Sequence, residues 1–460
     1  MNRLFTENES RRMSDELDYQ SDSEAPAFGM VSRAARRIVL GRLQGLRRGR
    51  IDLQDAMDHV TLGESADLSV DFQVRNPRFY REAVLGGTLS VAESYLRGDW
   101  DCTRLADLFR IFIRNIERTE RMDGRLARAF GWGHRFYHWL RSNSRSGSRK
   151  NIAAHYDLGN DFFGLWLDET MAYSSGIFPF AGASLREASE EKFDRVCRKL
   201  ALQRTDHLLE IGTGWGGLAI HAAKHYGCRV TTTTISREQA ALADDRIREA
   251  GLSDRITLLQ SDYRDLTGQY DKLVSIEMIE AVGHKYFDTF FRKIGQLLRP
   301  EGSAILQAIV MPEGRYEDYR RSVDFIQRYV FPGGCLPSVA AMLESVGRTT
   351  DMRFVHAEDF APHYAETLRR WRQAFTGKLD EVRQQGYTEE FIRLWNYYLC
   401  YCEAVFEERH VGVVQIQFDK PGCRRDPIQL SHHAAAGRRT TLPRCAATSA
   451  TTSSRQQVSS

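Results

Sequence analysis

At 460 residues, with a formal net charge of +3, 42% hydrophobic and 27% charged residues, the chain has the composition of a soluble globular protein long enough for two domains. It contains no run of about 18 apolar residues, and its N-terminus, MNRLFTENESRRMSDELDYQ, lacks an apolar signal core, so neither a membrane-spanning helix nor export is expected. The eight cysteines show no zinc-like pairing, the closest being Cys400 and Cys402, and read as reduced cytosolic thiols with no metal site.

In chain order, residues 1–28 are polar and acidic, and are expected to be disordered. Residues 29–140 read as a small mixed N-terminal domain. It opens with a basic helix: seven arginines and no acid lie between Arg33 and Arg50. On a helical wheel Val31, Ala34, Ala35, Ile38, Val39, Leu43 and Leu46 share one side. Most arginines fall on the other, with Arg42, Arg50 and Leu40 as exceptions. Such a helix suits the surface of an anionic bilayer; it equally suits a solvated helix packed on its own domain. Candidate strands follow over 59–74 and a helical stretch around 88–118. The segment 141–150, RSNSRSGSRK, reads as a linker.

Beyond it a βα rhythm begins. Strands are expected at 206–211, 228–234, 256–260, 271–276 and 303–309, with helical patterns between them, such as 237–250 and 285–297. The alternation predicts an α/β fold with a parallel sheet and helices on both faces. Helix-rich insertions at 313–346 and 362–408 precede a last strand at 411–418. Residues 423–460 have no apolar periodicity and read as a disordered tail.

The string LLEIGTGWGGLA, 208–219, is a strand ending in an acid, then a glycine turn, then a helix. This opens a nucleotide-type pocket in a doubly wound domain. Gly212 and Gly214 would let the backbone approach a ligand closely. An acid before the first glycine favours S-adenosylmethionine over a dinucleotide.

The chain resembles the cyclopropane-fatty-acyl-phospholipid synthase family over about residues 30–422. The resemblance rests on AHYDLGNDFFGLWLD (154–168), MAYSSGIF (171–178), the glycine string, TTTTISREQ (231–239), SDYRDL (261–266), SIEMIEAVGHKYFDTFF (275–291), RRSVDFIQRYVFPGGCLPS (320–338) and YYLCYCEAVF (397–406). It implies a seven-stranded, Rossmann-like class I methyltransferase fold with helical insertions, over 151–422. It also implies addition of a methylene from S-adenosylmethionine to a cis double bond of a phospholipid acyl chain. By the same resemblance Glu210, Gly212 and Gly214 line the cofactor's ribose and amino-acid part. Gln239, beside Thr234, replaces the usual ribose-binding acid, and Asp262 and Tyr263 sit where adenine is read. Tyr156, Tyr173 and Ser174 close over the methionine part, although Tyr156 reads equally as a packed helix residue.

Methyl transfer to an alkene leaves a carbocation, and one proton must then leave the new methyl group for a ring to close. The resemblance assigns that task to a bound bicarbonate, held by Ser175, Glu280, Gln307, Tyr364 and the backbone of Ile309. Ser175 and Gln307 depart from the cysteine and histidine of many members. The departure leaves a methylene or methyl branch open as an alternative product. Aromatic candidates for facing the cation are Tyr286 or Phe291, Tyr329, Phe331 and Trp371, each also readable as core. Cys402 matches a cysteine once proposed as catalytic; it also reads as structural. The expected protein is a cytoplasmic enzyme, peripheral at the inner face of the membrane. Its partner is the phospholipid bilayer surface; no nucleic acid is involved, and family members are often homodimers. A methyltransferase for another small substrate, and a lipid-binding protein without turnover, are the rival readings.

Overall fold

The computed structural model describes residues 28–64, 67–116 and 159–424. The expectations for residues 1–27, the linker 141–150, Tyr156 and the tail beyond Arg424 lie outside the described residues.

The N-terminal part runs α1 (Met30–Leu43), β1 (Arg50–Gln54), β2 (His59–Leu62), β3 (Ser69–Val74), α2 (Arg78–Leu85), α3 (Gly87–Leu96), β4 (Trp100–Cys102) and α4 (Leu105–Arg114). Its sheet has the order β2-β1-β3-β4; β1 and β3 are parallel, and the outer pairs are antiparallel. The strands expected over 59–74 are β2 and β3. The basic helix is shorter than its arginine run: it stops at Leu43, and Arg50 already belongs to β1. In RIDLQ, Ile51 and Leu53 alternate with polar residues, and this period of two puts both in the core. The helical stretch at 88–118 is likewise broken. Gly98 turns with φ +80°, and β4 inserts Trp100, whose indole N–H donates to the Val91 carbonyl (3.0 Å) and Ser94 Oγ (2.9 Å).

α1 divides its side chains between the domain core and the surface. Ala35, Val39 and Leu43 are buried, while Met30 and Val31 are 88 and 68% exposed and Ile38 is exposed beside them. Arg33 and Arg37 are also exposed. Arg36 turns inward and pairs with Asp55 at 2.6 Å.

The second part carries α5 (Asn160–Gly164), α6 (Leu185–Lys199), β5 (His207–Ile211), α7 (Gly217–Tyr226), β6 (Arg229–Thr233), α8 (Arg237–Glu249), β7 (Ile256–Leu259), β8 (Tyr270–Ile276), α9 (Phe287–Leu297) and β9 (Leu298–Val310). These are followed by α10 (Glu313–Tyr319), α11 (Val339–Thr349), β10 (Arg353–Asp359), α12 (Ala361–Thr376), α13 (Leu379–Gln384), α14 (Glu389–Glu407) and β11 (Gly412–Asp419). The seven strands order as β10-β11-β9-β8-β5-β6-β7. β5 to β9 are parallel, and β11 and β10 are antiparallel to their neighbours. This is the class I methyltransferase fold. β10 had no sequence signal: RFVHAED is an edge strand with little burial, so it lacks an apolar face.

Strand order reverses between β5 and β8, so their C-terminal ends frame the crevice where doubly wound sheets bind ligands. One sheet face is covered by α9 and α11, the other by α6 and α7. α12 and α14 form a cap above the crevice. Their core is continuous with that of the N-terminal sheet. Phe109 packs edge-on to Tyr397, Arg393 donates to the Trp100 carbonyl (2.8 Å), and Arg110 and Arg114 both pair with Glu408.

Candidate active site

A cavity of ≈ 890 Å³ opens at the reversal of strand order and runs beneath the cap as far as Thr88 on α3. Its sheet end is built by the glycine turn. Gly212 has φ +103° and Gly214 φ +52°, conformations that side chains resist. Gly212 N–H donates to the Thr233 carbonyl at 3.0 Å, tying the turn to β6. α7 starts on Gly216 without a side-chain cap, so its first N–H groups are available at the cavity wall.

The predicted cofactor residues converge there. Tyr173, Ser174, Glu210, Gly212, Gly214, Thr234, Gln239, Asp262 and Tyr263 all line this cavity. Glu210 accepts from Thr232 Oγ1 at 2.6 Å, and burial raises its carboxyl to about 8. Thr234 Oγ1 donates to Gln239 Oε1 at 2.9 Å, which orients the amide at the start of α8. Asp262 already holds Arg264 through both carboxylate oxygens (2.8 and 2.6 Å), so it is fixed within its own turn. Tyr173 OH meets Tyr398 OH at 2.9 Å, joining the loop between α5 and α6 to the cap. The glycine cradle and the acid beside it fit S-adenosylmethionine.

The residues expected to be catalytic are arranged differently from expectation. Glu277, which the sequence reading passed over, stands at its centre. Ser175 N–H (3.0 Å) and Gln307 Nε2 (2.7 Å) donate to Glu277 Oε1, and Tyr364 OH donates to Oε2 at 2.7 Å. Ile309 N–H donates to Glu280 Oε1 at 2.6 Å. Four groups expected to grip bicarbonate are therefore engaged by the protein's own carboxylates. Ser175 and Gln307 are buried behind Glu277 and are not part of the cavity wall, whereas Glu277, Glu280, Ile309 and Tyr364 are. The residues present do not fit the bicarbonate arrangement that the resemblance implies.

Among the described residues Glu280 Oε2 is buried without a hydrogen-bond partner. Burial, then the neighbouring Glu277 charge, raises the Glu280 carboxyl to about 8. At neutral pH it is protonated and can donate into the cavity. A second missed residue is Lys192, on the buried face of α6. Its Nζ donates to Ser174 Oγ at 2.6 Å; burial lowers it to about 8, against the pull of Glu277, Asp168 and Glu210. A lysine among Ala188, Phe193 and Val196 on one helical face was the available signal. For Glu277 the signal was a pair of acids, i and i+3, just beyond an apolar strand.

Cys402 lines the cavity, but burial pushes its thiol well up, which disfavours the thiolate a nucleophile needs. Of the aromatic candidates Phe331 alone lines the cavity. Phe291 and Trp371 belong to the core, Tyr286 packs against the α9 side of the sheet, and Tyr329 OH donates to Glu93.

The profile of the mycolic acid cyclopropane synthetase family matches residues 143–416. The chain belongs to this family. Among its relatives, the tuberculostearic acid methyltransferase UfaA1 of Mycobacterium tuberculosis is 39% identical over 72% of this chain and 78% of its own. The cyclopropane-fatty-acyl-phospholipid synthase of Escherichia coli is 34% identical over 76% of this chain and 88% of its own. The solved structure of the mycolic acid cyclopropane synthase CmaA1, complexed with SAH and CTAB, superposes with a TM-score of 0.55 at 28% identity. It covers 59% of this chain and 98% of its own. Against this cyclopropane synthetase background, the match leaves β1 to β4, the N-terminal sheet, outside the profile.

Proposed function

We propose that the protein transfers a methyl group from S-adenosylmethionine to the cis double bond of an unsaturated acyl chain in a membrane phospholipid, and closes the product to a cyclopropane. The observation that carries this reading is one continuous cavity, with a glycine turn and paired acids at the sheet end and a partly apolar passage through the cap at the other. Ile326, Phe331, Leu336, Leu368 and Val405 line it together with Arg315, Asp318, Asp324 and His410, a mixed wall with apolar surface for an acyl chain and charged groups beside it.

S-adenosylmethionine supplies an electrophilic methyl group when bound and leaves as S-adenosylhomocysteine. Glu210 and Gln239 would hold its ribose side and the α7 N-terminus its carboxylate. Glu280, protonated, orients the reacting region by donating from Oε2. The cap excludes water, which would otherwise capture the carbocation. In this chain the bicarbonate of the family chemistry competes for donors already in use. The 39% relative's name, tuberculostearic acid methyltransferase, supports a second reading in which the cation is quenched to a methylene or methyl branch.

The substrate would be reached from an anionic membrane face. Among the described residues no helix is long and apolar enough to cross a membrane. Met30, Val31 and Ile38 are exposed on α1, with Arg33, Arg37, Arg47 and Arg48 exposed around them, the composition of an interfacial anchor.

The test is purified protein, S-adenosylmethionine and vesicles of cis-monounsaturated phospholipid, followed by acyl-chain mass spectrometry and NMR. A gain of one CH2 with high-field cyclopropane protons supports the first reading. The same gain with vinylidene protons supports the second. No gain, with the cofactor shown to bind, overturns both.

A further inference from the structure

Glu277 follows β8 directly, and its backbone is left-handed, with φ +48°. A non-glycine residue held there is strained and persists only where its surroundings impose it. Here they do. Glu277 N–H donates to the Gln307 carbonyl at 2.8 Å, extending the β8–β9 ladder by one residue. The turned backbone delivers the carboxylate to the cavity wall.

Gln307 is aimed at this carboxylate by a chain of fixed donors. Lys199 Nζ, which can only donate, meets Gln415 Oε1 at 2.7 Å. That leaves the Gln415 amide nitrogen to donate to Gln307 Oε1 at 3.0 Å. Gln307 must then present its own Nε2 to Glu277. Ser175 N–H and Gln307 Nε2 are donors only, and Tyr364 OH points the same way, so the cradle is made for an anion. The residue seated in it belongs to the chain.

We propose that the Glu277 carboxylate takes the place of bicarbonate in this protein and itself removes the proton from the transferred methyl carbon. The proposal rests on the methyl-transfer reading above. In that step the alkene π pair forms the new C–C bond, while the C–S pair leaves with the sulfur. A carboxylate oxygen of Glu277 then takes one proton from the new methyl group. The freed C–H pair closes onto the cationic carbon, giving a neutral ring and a protonated Glu277. The proton passes to water once the product has left. Three donated hydrogen bonds disperse the carboxylate's charge and occupy lone pairs, which limits its alkylation by the sulfonium.

The test has a binding arm and a turnover arm. Isotope-labelled bicarbonate is titrated into the whole protein and followed by NMR, with wild type, Glu277→Ala and Glu277→Gln. Wild type and Glu277→Gln should give no saturable signal, and Glu277→Ala should bind in the vacated cradle. Saturable binding to wild type overturns the proposal whatever the substrate proves to be. In turnover assays depleted of carbon dioxide, wild type should keep its rate. Glu277→Ala should lose at least about 100-fold, the usual contribution of a positioned base, and recover part of it on adding bicarbonate; Glu277→Gln should lose as much without recovery. A wild-type rate that falls tenfold on depletion and returns with bicarbonate overturns the proposal while leaving the methyl-transfer reading intact. Full activity in both variants also overturns it. Should Glu277→Ala fail to fold, Glu277→Gln, which preserves shape, carries the test through its rate loss.

Discussion

Arg36 lies in the middle of the arginine run but is not a surface cation, and this separates two roles within one helix. Its Nε donates to Asp55 Oδ2 at 2.6 Å, and the two side chains are 12 and 0% exposed. Replacing Arg36 by Met keeps the apolar stem and removes the charge. Breaking a buried ion pair from one side costs about 3–5 kcal/mol, because the remaining charge is stranded. Asp55 would not be wholly stranded: it also accepts from Tyr80 OH and from the N–H groups of Met57 (2.9 Å) and Asp58 (3.0 Å). With each such bond worth about 1 kcal/mol net, the expected loss is about 2–3 kcal/mol. Urea unfolding measures it, and a cycle with Asp55→Asn should return a coupling of about 2 kcal/mol. Burial works against the Asp55 charge, but Arg36 and Tyr80 outweigh it and hold the carboxyl below its ordinary value. The stabilisation is therefore complete above about pH 4, the unfolded range, and is lost as pH falls through the lower folded value. Vesicle binding by folded Arg36→Met should match wild type. If stability were unchanged and vesicle binding fell, Arg36 would be a lipid-facing cation and the reasoning would be refuted.

Neutralising Arg33, Arg37, Arg47 and Arg48 together to Gln should do the reverse: unfolding unchanged, and vesicle sedimentation weakened by about 1 kcal/mol per charge on anionic lipid at low salt. Equal binding by variant and wild type would remove the basic surface from the mechanism. Glu280→Gln should lower kcat by about 100-fold. In wild type the rate should fall as pH rises through about 8, where Glu280 loses its proton; a flat profile across that range would deny it a role as donor. Because the folded value is raised, the associated stability is present below the unfolded carboxyl range and is lost as pH rises towards 8. Cys402→Ala should retain turnover, with only a small stability loss of about 1 kcal/mol for the vacated volume; complete inactivation of a folded variant would restore the thiol to the chemistry.

Local sequence determined the parts of this protein whose signals are local. The parallel strands from 206 to 309 and the glycine turn were legible because apolar runs, glycines and helix periods occupy neighbouring positions. The site residues Glu210, Gln239, Glu280 and Tyr364 were legible through a resemblance spread over the whole second part, and they do converge on one cavity. β1 and β4 were hidden, one inside a basic run and one inside a helical pattern. β10 was hidden because an exposed edge strand needs no apolar face.

What only the tertiary structure decided was which groups touch. Arg36 and Arg37 are adjacent and chemically identical, yet one is half-buried and paired with Asp55 while the other faces solvent. Glu277 and Glu280 lie three residues apart, yet one accepts from residues 175, 307 and 364 while the other keeps a carboxylate oxygen unpartnered. Sequence placed an acid pair at the end of β8. Its division into an acceptor of three hydrogen bonds and a carboxyl with one unpartnered oxygen depends on partners 30 to 102 residues away, and it exists only once the sheet, the loop between α5 and α6 and the cap have closed around it.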